Sequence, residues 1–509
     1  MSTLTALRQV GVLHRAGVID LWRPWRGIAQ SHAVRTFGPL AGAVRIGART
    51  HPDRVALIDP TERLTYRELD ARTTALADAW RSAGIDDASR IGLLSRDDAG
   101  LVTAMIATAK LGARAVLLNT GFGAAQCAEV ATREQLSAVY AQPEFGEVVA
   151  AFGLPVLNSA APVGPIRGRV LRAPNSSGDF VILTGGTTGT PKGVMRRVSS
   201  PLAAAQFLDR VPLRSGDIIL LCAPLFHGTS FSQLNIGFSI GATIVLHGRF
   251  DAGRALTELA DHRCTAAVVV PTMLRRMLAV EGAPFDAITR HLRILFTAGE
   301  ALPVDIGNRV VECFGPVVYN FYGSTETSTA TIATPADWIA APGTVGKPPI
   351  GIDIALVDRT GREGTAGTVY VRNPLAFGGY TDGRDKPRRG GYVDTGDLGH
   401  LDGAGRLFID GRSDDMIVSG GENVFPGEVE EVIAAMPQVV EAAVIGVADQ
   451  QFGQRLAAFV VAEGITEEDV RERVRAALAR FKVPREVIFV DQLPRTATGK
   501  VLRRNLHRR

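Results

Sequence analysis

No apolar run in this chain approaches the ~18 residues of a membrane span, and Arg8, His14 and Arg15 break up the N-terminal stretch as a secretory signal. A cytoplasmic location is the expectation. Cysteine is scarce. Cys127, Cys222, Cys264 and Cys313 are the four among 509 residues, and none has a CxxC or other metal-ligand spacing. That argues against a disulfide scaffold or a cysteine-held zinc and fits buried thiols in a reducing compartment. Neither sign of charge dominates. The net charge of +4 is too small on this length to argue for nucleic acid as a partner. Short-period repeats and low-complexity tracts are missing as well.

What is present is ordinary for a soluble globular chain: 46% hydrophobic and 21% charged residues. The length suggests about three folding units. Short β-type runs such as Arg90–Leu94, Phe180–Leu183, Ile218–Leu221, Thr243–Leu246 and Ala266–Val270 alternate with helical stretches such as Leu101–Lys110 and Arg254–Asp261. That alternation predicts α/β layers with largely parallel sheets. From about Ile352 short strands and Gly-rich turns dominate, which suggests a small β-rich subdomain. A compact α+β unit follows. The expected division is residues 1–410 and 411–509, with the second part a small mobile domain.

One N-terminal segment has two readings. Leu7, Val10 and Leu13 recur at helical spacing, followed by Trp22, Arg23, Trp25 and Arg26. Basic residues beside tryptophans suit a membrane surface, so residues 4–26 are a candidate for peripheral membrane association. A helix packed on the main domain is the favoured alternative. A second copy of the chain is also carried as a candidate partner.

The densest chemical signal is Thr184-Gly185-Gly186-Thr187-Thr188-Gly189-Thr190-Pro191-Lys192-Gly193, directly after the run Phe180–Leu183. Glycines let consecutive backbone N–H groups converge on one anion. The threonines add hydroxyl donors and Lys192 a positive charge. No Gly-Lys-[Ser/Thr] closes the loop, so it is not a Walker A motif. A Gly-rich turn without a ligand is the plain alternative.

This loop resembles the phosphate-binding signature of the adenylate-forming superfamily: acyl-CoA synthetases, firefly-type luciferases and peptide-synthetase adenylation domains. The family usually has Ser where Gly185 stands. The resemblance recurs in order over most of the chain. Pro224-Leu225-Phe226-His227 and Val270-Pro271-Thr272-Met273 are similar to segments that line the acyl site. Thr297-Ala298-Gly299-Glu300-Ala301 resembles the segment beside adenine. Tyr322-Gly323-Ser324-Thr325-Glu326, Asp394-Thr395-Gly396-Asp397, Gly411-Arg412-Ser413-Asp414-Asp415 and Pro494-Arg495-Thr496-Ala497-Thr498-Gly499-Lys500 are similar to the family's remaining signatures.

The resemblance implies ATP, Mg²⁺ and coenzyme A as cofactor and co-substrates, and a carboxylic acid as substrate. It implies Glu326 as the metal ligand, Thr325 as a donor to the α-phosphate and Tyr322, with Gly323, against adenine. Asp397 and Arg412 would meet the ribose hydroxyls, with an Asp397–Arg412 ion pair as the structural alternative. Lys500 would bridge the carboxylate and the α-phosphate, and Asp414 would be the hinge. Gly420 and Gly421 would line the pantetheine tunnel. Many relatives carry Lys where Val418 stands. His227 would border the acyl channel. Amino-acid-activating relatives have Asp at that place, so amino acids are not the expected substrate. The overall look is to bacterial fatty-acid–CoA ligases, and the apolar stretch Phe231, Leu234, Ile236, Gly237 and Phe238 agrees. An acyl-AMP ligase loading a carrier protein, and a CoA ligase for an aromatic or short acid, stay open as alternatives. So does a nucleotide-binding protein without turnover.

Overall fold

The apolar runs of the first 330 residues become interior strands of two sheets, because a parallel sheet is buried on both faces. In the computed structural model the residues described are 3–19, 21–22, 24–158, 173–175, 177–184, 191–196, 203–413, 415–419, 422–449, 453–495 and 501–506. One sheet orders its eight strands as Ser328–Ala333, Val318–Ser324, Ile294–Thr297, Ala266–Val269, Ile218–Leu221, Thr243–Leu246, Val55–Ile58 and Arg63–Thr65. Its inner strands are parallel, and only the two edge strands are antiparallel to their neighbours. The second sheet runs Val156–Leu157, Ala138–Ala141, Arg90–Leu94, Arg114–Leu117, Phe180–Thr184 and Lys192–Arg196. The helix Ala99–Leu111 is buried along almost its whole length. Its start is fixed by the Asp98 side chain, which accepts from Leu101 N–H at 2.7 Å.

Helix α1 (Thr3–Ala16) packs inward through Gln9, Val12, Leu13 and Ala16. These lie at i, i+3, i+4 and i+7, one face of a 3.6-residue helix. The expected stripe of Leu7, Val10 and Leu13 is therefore corrected. Leu13 is buried, but Leu7 lies on the side opposite that buried face and is 67% exposed. Helix α2 (Pro24–Thr50) is kinked where Gly38 takes φ 76°, with Pro39 opening the second half. Proline lacks the N–H that a first turn leaves unpaired anyway, and a left-handed φ at position 38 favours glycine.

After Ile352 the chain builds an antiparallel sheet from Asp353–Val357, Ala366–Arg372, Tyr392–Leu401 and Leu407–Arg412, with short flanking strands. The last of these crosses position 410. Arg412 still pairs in register with Asp397, and Ser413 N–H donates to Gly396 O at 2.9 Å. The C-terminal part has its own core, including Val424, Val429, Ile433, Val444, Val460 and Val474. Its sheet begins at Ile417–Ser419 and carries Val439–Asp449, Gly453–Ala462 and Glu486–Phe489. The four cysteines are free. No helix of the described residues is long and apolar enough to cross a membrane.

Candidate active site

A cavity of about 2520 Å³ lies where the sheets of the N-terminal part meet the C-terminal part. Thr184 and Lys192 form one wall. They are register partners on adjacent antiparallel strands, and the Thr184 hydroxyl donates to Lys192 O at 3.2 Å. The ends of the Gly-rich segment are thereby pinned together at the cavity. Its apex, with Gly186, Thr187, Thr188 and Gly189, lies outside the described residues.

The hairpin from Val318–Ser324 to Ser328–Ala333 supplies Tyr322, Gly323, Thr325 and Glu326 to the cavity. Its register shifts between Tyr322 and Gly323. A Cβ on Gly323 would stand 2.1 Å from Ser328 O, so this crossing requires glycine. The Tyr322 hydroxyl donates to Asp397 Oδ2 at 2.6 Å. Burial, then the Asp397 charge, pushes the Tyr322 hydroxyl pKa well up, so it stays a donor. Arg412 Nη1 approaches Asp397 Oδ1 at 3.3 Å. The expected Asp397–Arg412 pair is thus formed, and Tyr322 joins it.

Glu326 is only 9% exposed, and its Oε1 accepts from the Tyr380 hydroxyl at 2.7 Å. Tyr380 also lies under Lys192, whose Nζ is 4.8 Å from its ring centroid. Tyr380 therefore links the loop-end lysine to the acid, a role the sequence reading missed. Its only signal was a tyrosine after Gly378-Gly379 in the β-rich region; the long-range contact is not local information.

The adenine-side segment meets the acyl-side segment through Glu300. Its Oε1 accepts from Thr272 N–H at 3.0 Å, and burial raises its pKa despite that bond. Gly299, Glu300 and Ala301 all line the cavity.

His227 caps the start of the helix Gly228–Ser239 by position, without a side-chain cap bond. Burial pulls its pKa down to about 4, so the ring is neutral and a weak base at pH 7. Phe231, Ile236 and Phe238 line the cavity along this helix. Leu234 and Gly237 are not on it, which corrects the expected apolar set: Leu234 is fully buried in the core, and Gly237 lies against the sheet, where a Cβ would stand 2.6 Å from Ile244 Cδ1. The cavity is also lined by Gln233 and Asn235 of the same helix and by Gln206 of the helix Ala203–Leu208, so its lining is more polar than the sequence stretch suggested.

The His227 segment is held from below by Asp97, another residue sequence reasoning missed. Its carboxylate oxygens accept from Leu225 N–H at 3.1 and 3.0 Å. Burial pushes Asp97 up to about 7, from 3.8, against the pull of that bond. Between those two values the folded chain keeps a proton that the unfolded chain releases. The stabilisation is complete below about pH 4 and is lost as pH rises to about 7. Asp97→Asn does not titrate and keeps one acceptor. Its stability relative to wild type should rise across that window by a few kcal/mol, on the order of the pKa shift. Melting curves at pH 5 and pH 8 check this; a difference that does not change with pH removes the assignment.

Lys500, Asp414, Gly420 and Gly421 lie outside the described residues. Beside Lys500, Arg495 and Val501 face each other in an isolated bridge, and both line the cavity.

A large cavity between an α/β body and a small α+β cap, with hydroxyl donors, the buried acid Glu326 and the Asp397–Arg412 pair on its walls, is the setting of the family signatures quoted above. Residues 44–381 match the family described as AMP-binding enzyme and residues 428–500 its C-terminal domain. The chain belongs to the AMP-binding enzyme family. It is 32% identical over 470 residues to the 2-succinylbenzoate–CoA ligase of Bacillus cereus, covering 89% of this chain and 95% of that one. It is 31% identical over 486 residues to the indoleacetate–CoA ligase of Aromatoleum aromaticum, covering 89% and 94%. The o-succinylbenzoate CoA synthetase of Bacillus subtilis, solved with its acyl-adenylate intermediate, superposes with a TM-score of 0.82 at 27% identity, covering 91% of this chain and 97% of that one. The same enzyme has also been solved with ATP and magnesium.

Proposed function

We propose that this chain is an ATP-dependent, AMP-forming CoA ligase for a carboxylic acid that bears an aromatic ring. The observation that carries the choice of acid is the mixed wall of Phe231, Ile236, Gln206, Gln233 and Asn235. A plain alkyl chain would leave those amides without use, whereas a ring with polar substituents meets both kinds of side chain. The names of the two ligases above, built on benzoate and indole, support this over the fatty acid expected from the sequence.

The first step joins a carboxylate oxygen to the α-phosphorus of ATP, and the bond to the β-phosphate breaks, releasing pyrophosphate. In the second the thiol sulfur of coenzyme A attacks the acyl carbon and AMP leaves. The protein's task is to hold two anions together and stabilise the charge between them. In this reading the Thr184–Lys192 loop holds the β- and γ-phosphates. Thr325 meets the α-phosphate, Tyr322 and Gly299–Ala301 flank adenine, and Asp397 with Arg412 takes the ribose. His227, neutral and weakly basic, shapes the acyl channel rather than moving a proton. The division near 410 and 411 belongs to the same reading, with the chain beyond Asp414 as the part that closes, since Gly411 and Arg412 still pair in the preceding sheet.

The acid Glu326 fits a magnesium ion. Among the described residues no group of three or more His, Cys, Asp or Glu forms a protein cage. One carboxylate plus phosphate oxygens and water is the coordination this hard cation favours. When bound, the ion neutralises phosphate charge. Tyr380 holds one oxygen of Glu326, and Glu326 lines the cavity. Glu326→Gln should raise the Mg²⁺ needed for half-maximal pyrophosphate exchange about tenfold or more, and Tyr380→Phe should raise it by less. Full activity in excess chelator would remove the metal role.

A pyrophosphate-release screen tests the substrate class. Arylacetic and arylbutanoic acids are expected to exceed unsubstituted fatty acids of any length. A preference for fatty acids overturns the aromatic reading, and release that never yields acyl-CoA overturns the CoA acceptor.

A further inference from the structure

Nine large hydrophobic side chains stand exposed among the described residues, and four of them, Leu7, Leu21, Trp22 and Ile28, fall within one short stretch of α1, α2 and the turn between. Their exposures are 67, 53, 84 and 71%. Leu21 and Trp22 immediately precede the start of α2, and Ile28 is one helical turn into it, so these three share one end of the helix. Ile28, His32 and Arg35 follow at i, i+4 and i+7 on its exposed side. Arg8 and Arg15 are exposed on α1. Residues 1–50 hold seven Arg and one acid, Asp20, a local +6 in a chain whose total is +4. The other 459 residues therefore sum to −2. Positive charge is concentrated where apolar side chains are exposed. Nearly all of this stretch precedes residue 44, where the family match begins. The shared catalytic core does not account for it.

We propose that the α1–α2 turn is a docking surface for an anionic lipid bilayer. Arginines meet the lipid phosphates, and Trp22, Leu21 and Ile28 enter the headgroup boundary, the arrangement that holds an amphipathic segment in the interface plane. A soluble acidic protein would use the arginines, but it supplies no apolar phase for four large side chains. The same elements also wall the cavity, through Gly17, Val18, Ala29, Gln30 and Val34. Ala29 is itself exposed beside Ile28, so the cavity reaches the surface under the patch. An acid dissolved in the bilayer thus has a short path to the site. That last clause rests on the acid-activating reading; the docking does not.

Flotation of the full chain with two kinds of vesicle tests the docking: phosphatidylcholine alone, and equal parts phosphatidylcholine and phosphatidylglycerol. The chain is expected to float with the anionic vesicles only, and to release in high salt. In a Trp25→Phe background, Trp22 fluorescence should shift to the blue on binding, since Trp80 and Trp338 are already buried. Replacing Arg8, Arg15 and Arg35 together by Gln should weaken binding on the order of 10²-fold. Trp22→Ser with Ile28→Ser should abolish the fluorescence shift and most of the binding. Unchanged turnover of a water-soluble acid by these variants, all at exposed positions, shows that they fold; Trp22→Ser alone serves if the pair does not. Three results overturn the proposal: no flotation with anionic vesicles, flotation untouched by both sets of substitutions, or tighter binding to polyglutamate than to the vesicles. Vesicle binding without acid activation would leave the docking standing and defeat only the functional reading.

Discussion

Lys500→Ala is expected to lower pyrophosphate exchange by a factor on the order of 10²–10³ while leaving ATP binding nearly unchanged. The first half-reaction brings a carboxylate against the α-phosphate, and both are anions. A cation that reaches the two at once removes their repulsion where the new bond forms and contributes little to the resting nucleotide complex. Lysine suits this, as a compact point charge on a flexible stem. Lys500 itself is outside the described residues, but residues near it in the chain stand at the cavity. Arg495 and Val501 bridge across its base and stand on the cavity wall, as do Thr325 and Glu326 from the N-terminal part. Exchange kinetics separate the alternatives. A fall in kcat with an unchanged Michaelis constant for ATP is the expected pattern, and wild-type exchange in the variant would sink the assignment.

Some elements were legible in the sequence with their limits nearly intact. Arg90–Leu94, Ile218–Leu221 and Thr243–Leu246 are strands with the expected ends, because a strand buried on both faces reads as one apolar run between turn residues. The boundary-crossing strand Leu407–Arg412 was less clear, since its last residues carry Gly411 and Arg412, chosen for the site rather than for a sheet. The facing of α1 was misjudged: small residues such as Ala16 and a buried Gln9 carry the packing, and large apolar Leu7 does not. In the site, residues inside contiguous motifs could be found, because glycine-rich phosphate loops and adjacent Thr–Glu pairs are local in the chain. Tyr380 and Asp97 could not. Tyr380 reaches Glu326 across 54 positions and Asp97 reaches Leu225 across 128, and a lone tyrosine or aspartate outside a motif has no local pattern to mark it. The cavity-lining amides Gln206, Gln233 and Asn235 were unmarked in the same way, since they lie on two helices outside any motif.

Asp414→Pro is expected to separate the two half-reactions: single-turnover pyrophosphate release and retained acyl-AMP persist, while most thioester formation is lost. In the proposed reading the loop bearing Lys500 and the loop bearing Gly420 and Gly421 belong to the same small domain but serve different steps. In this structure Arg495 and Val501, which flank the first, line the cavity. In the proposed reading the domain turns between the steps to bring the second loop in, and a turn needs a few backbone dihedrals to absorb it. The structure narrows where those lie. Arg412 is held in the sheet ladder against Asp397, and Ser413 is tied to Gly396 through both its N–H and its hydroxyl, each at 2.9 Å. The small domain's own sheet begins at Ile417. Only positions 414 to 416 remain between two fixed elements. Proline at 414 fixes φ near −65° and restricts Ser413 before it, so it removes freedom from the middle of that short connection. The loss should extend to thioester formation from presynthesised acyl-AMP and coenzyme A, which bypasses the first step. If Asp414 is only a surface acid, the two steps will fall together or not at all, and a proline variant that makes acyl-CoA at the normal rate rules the hinge out.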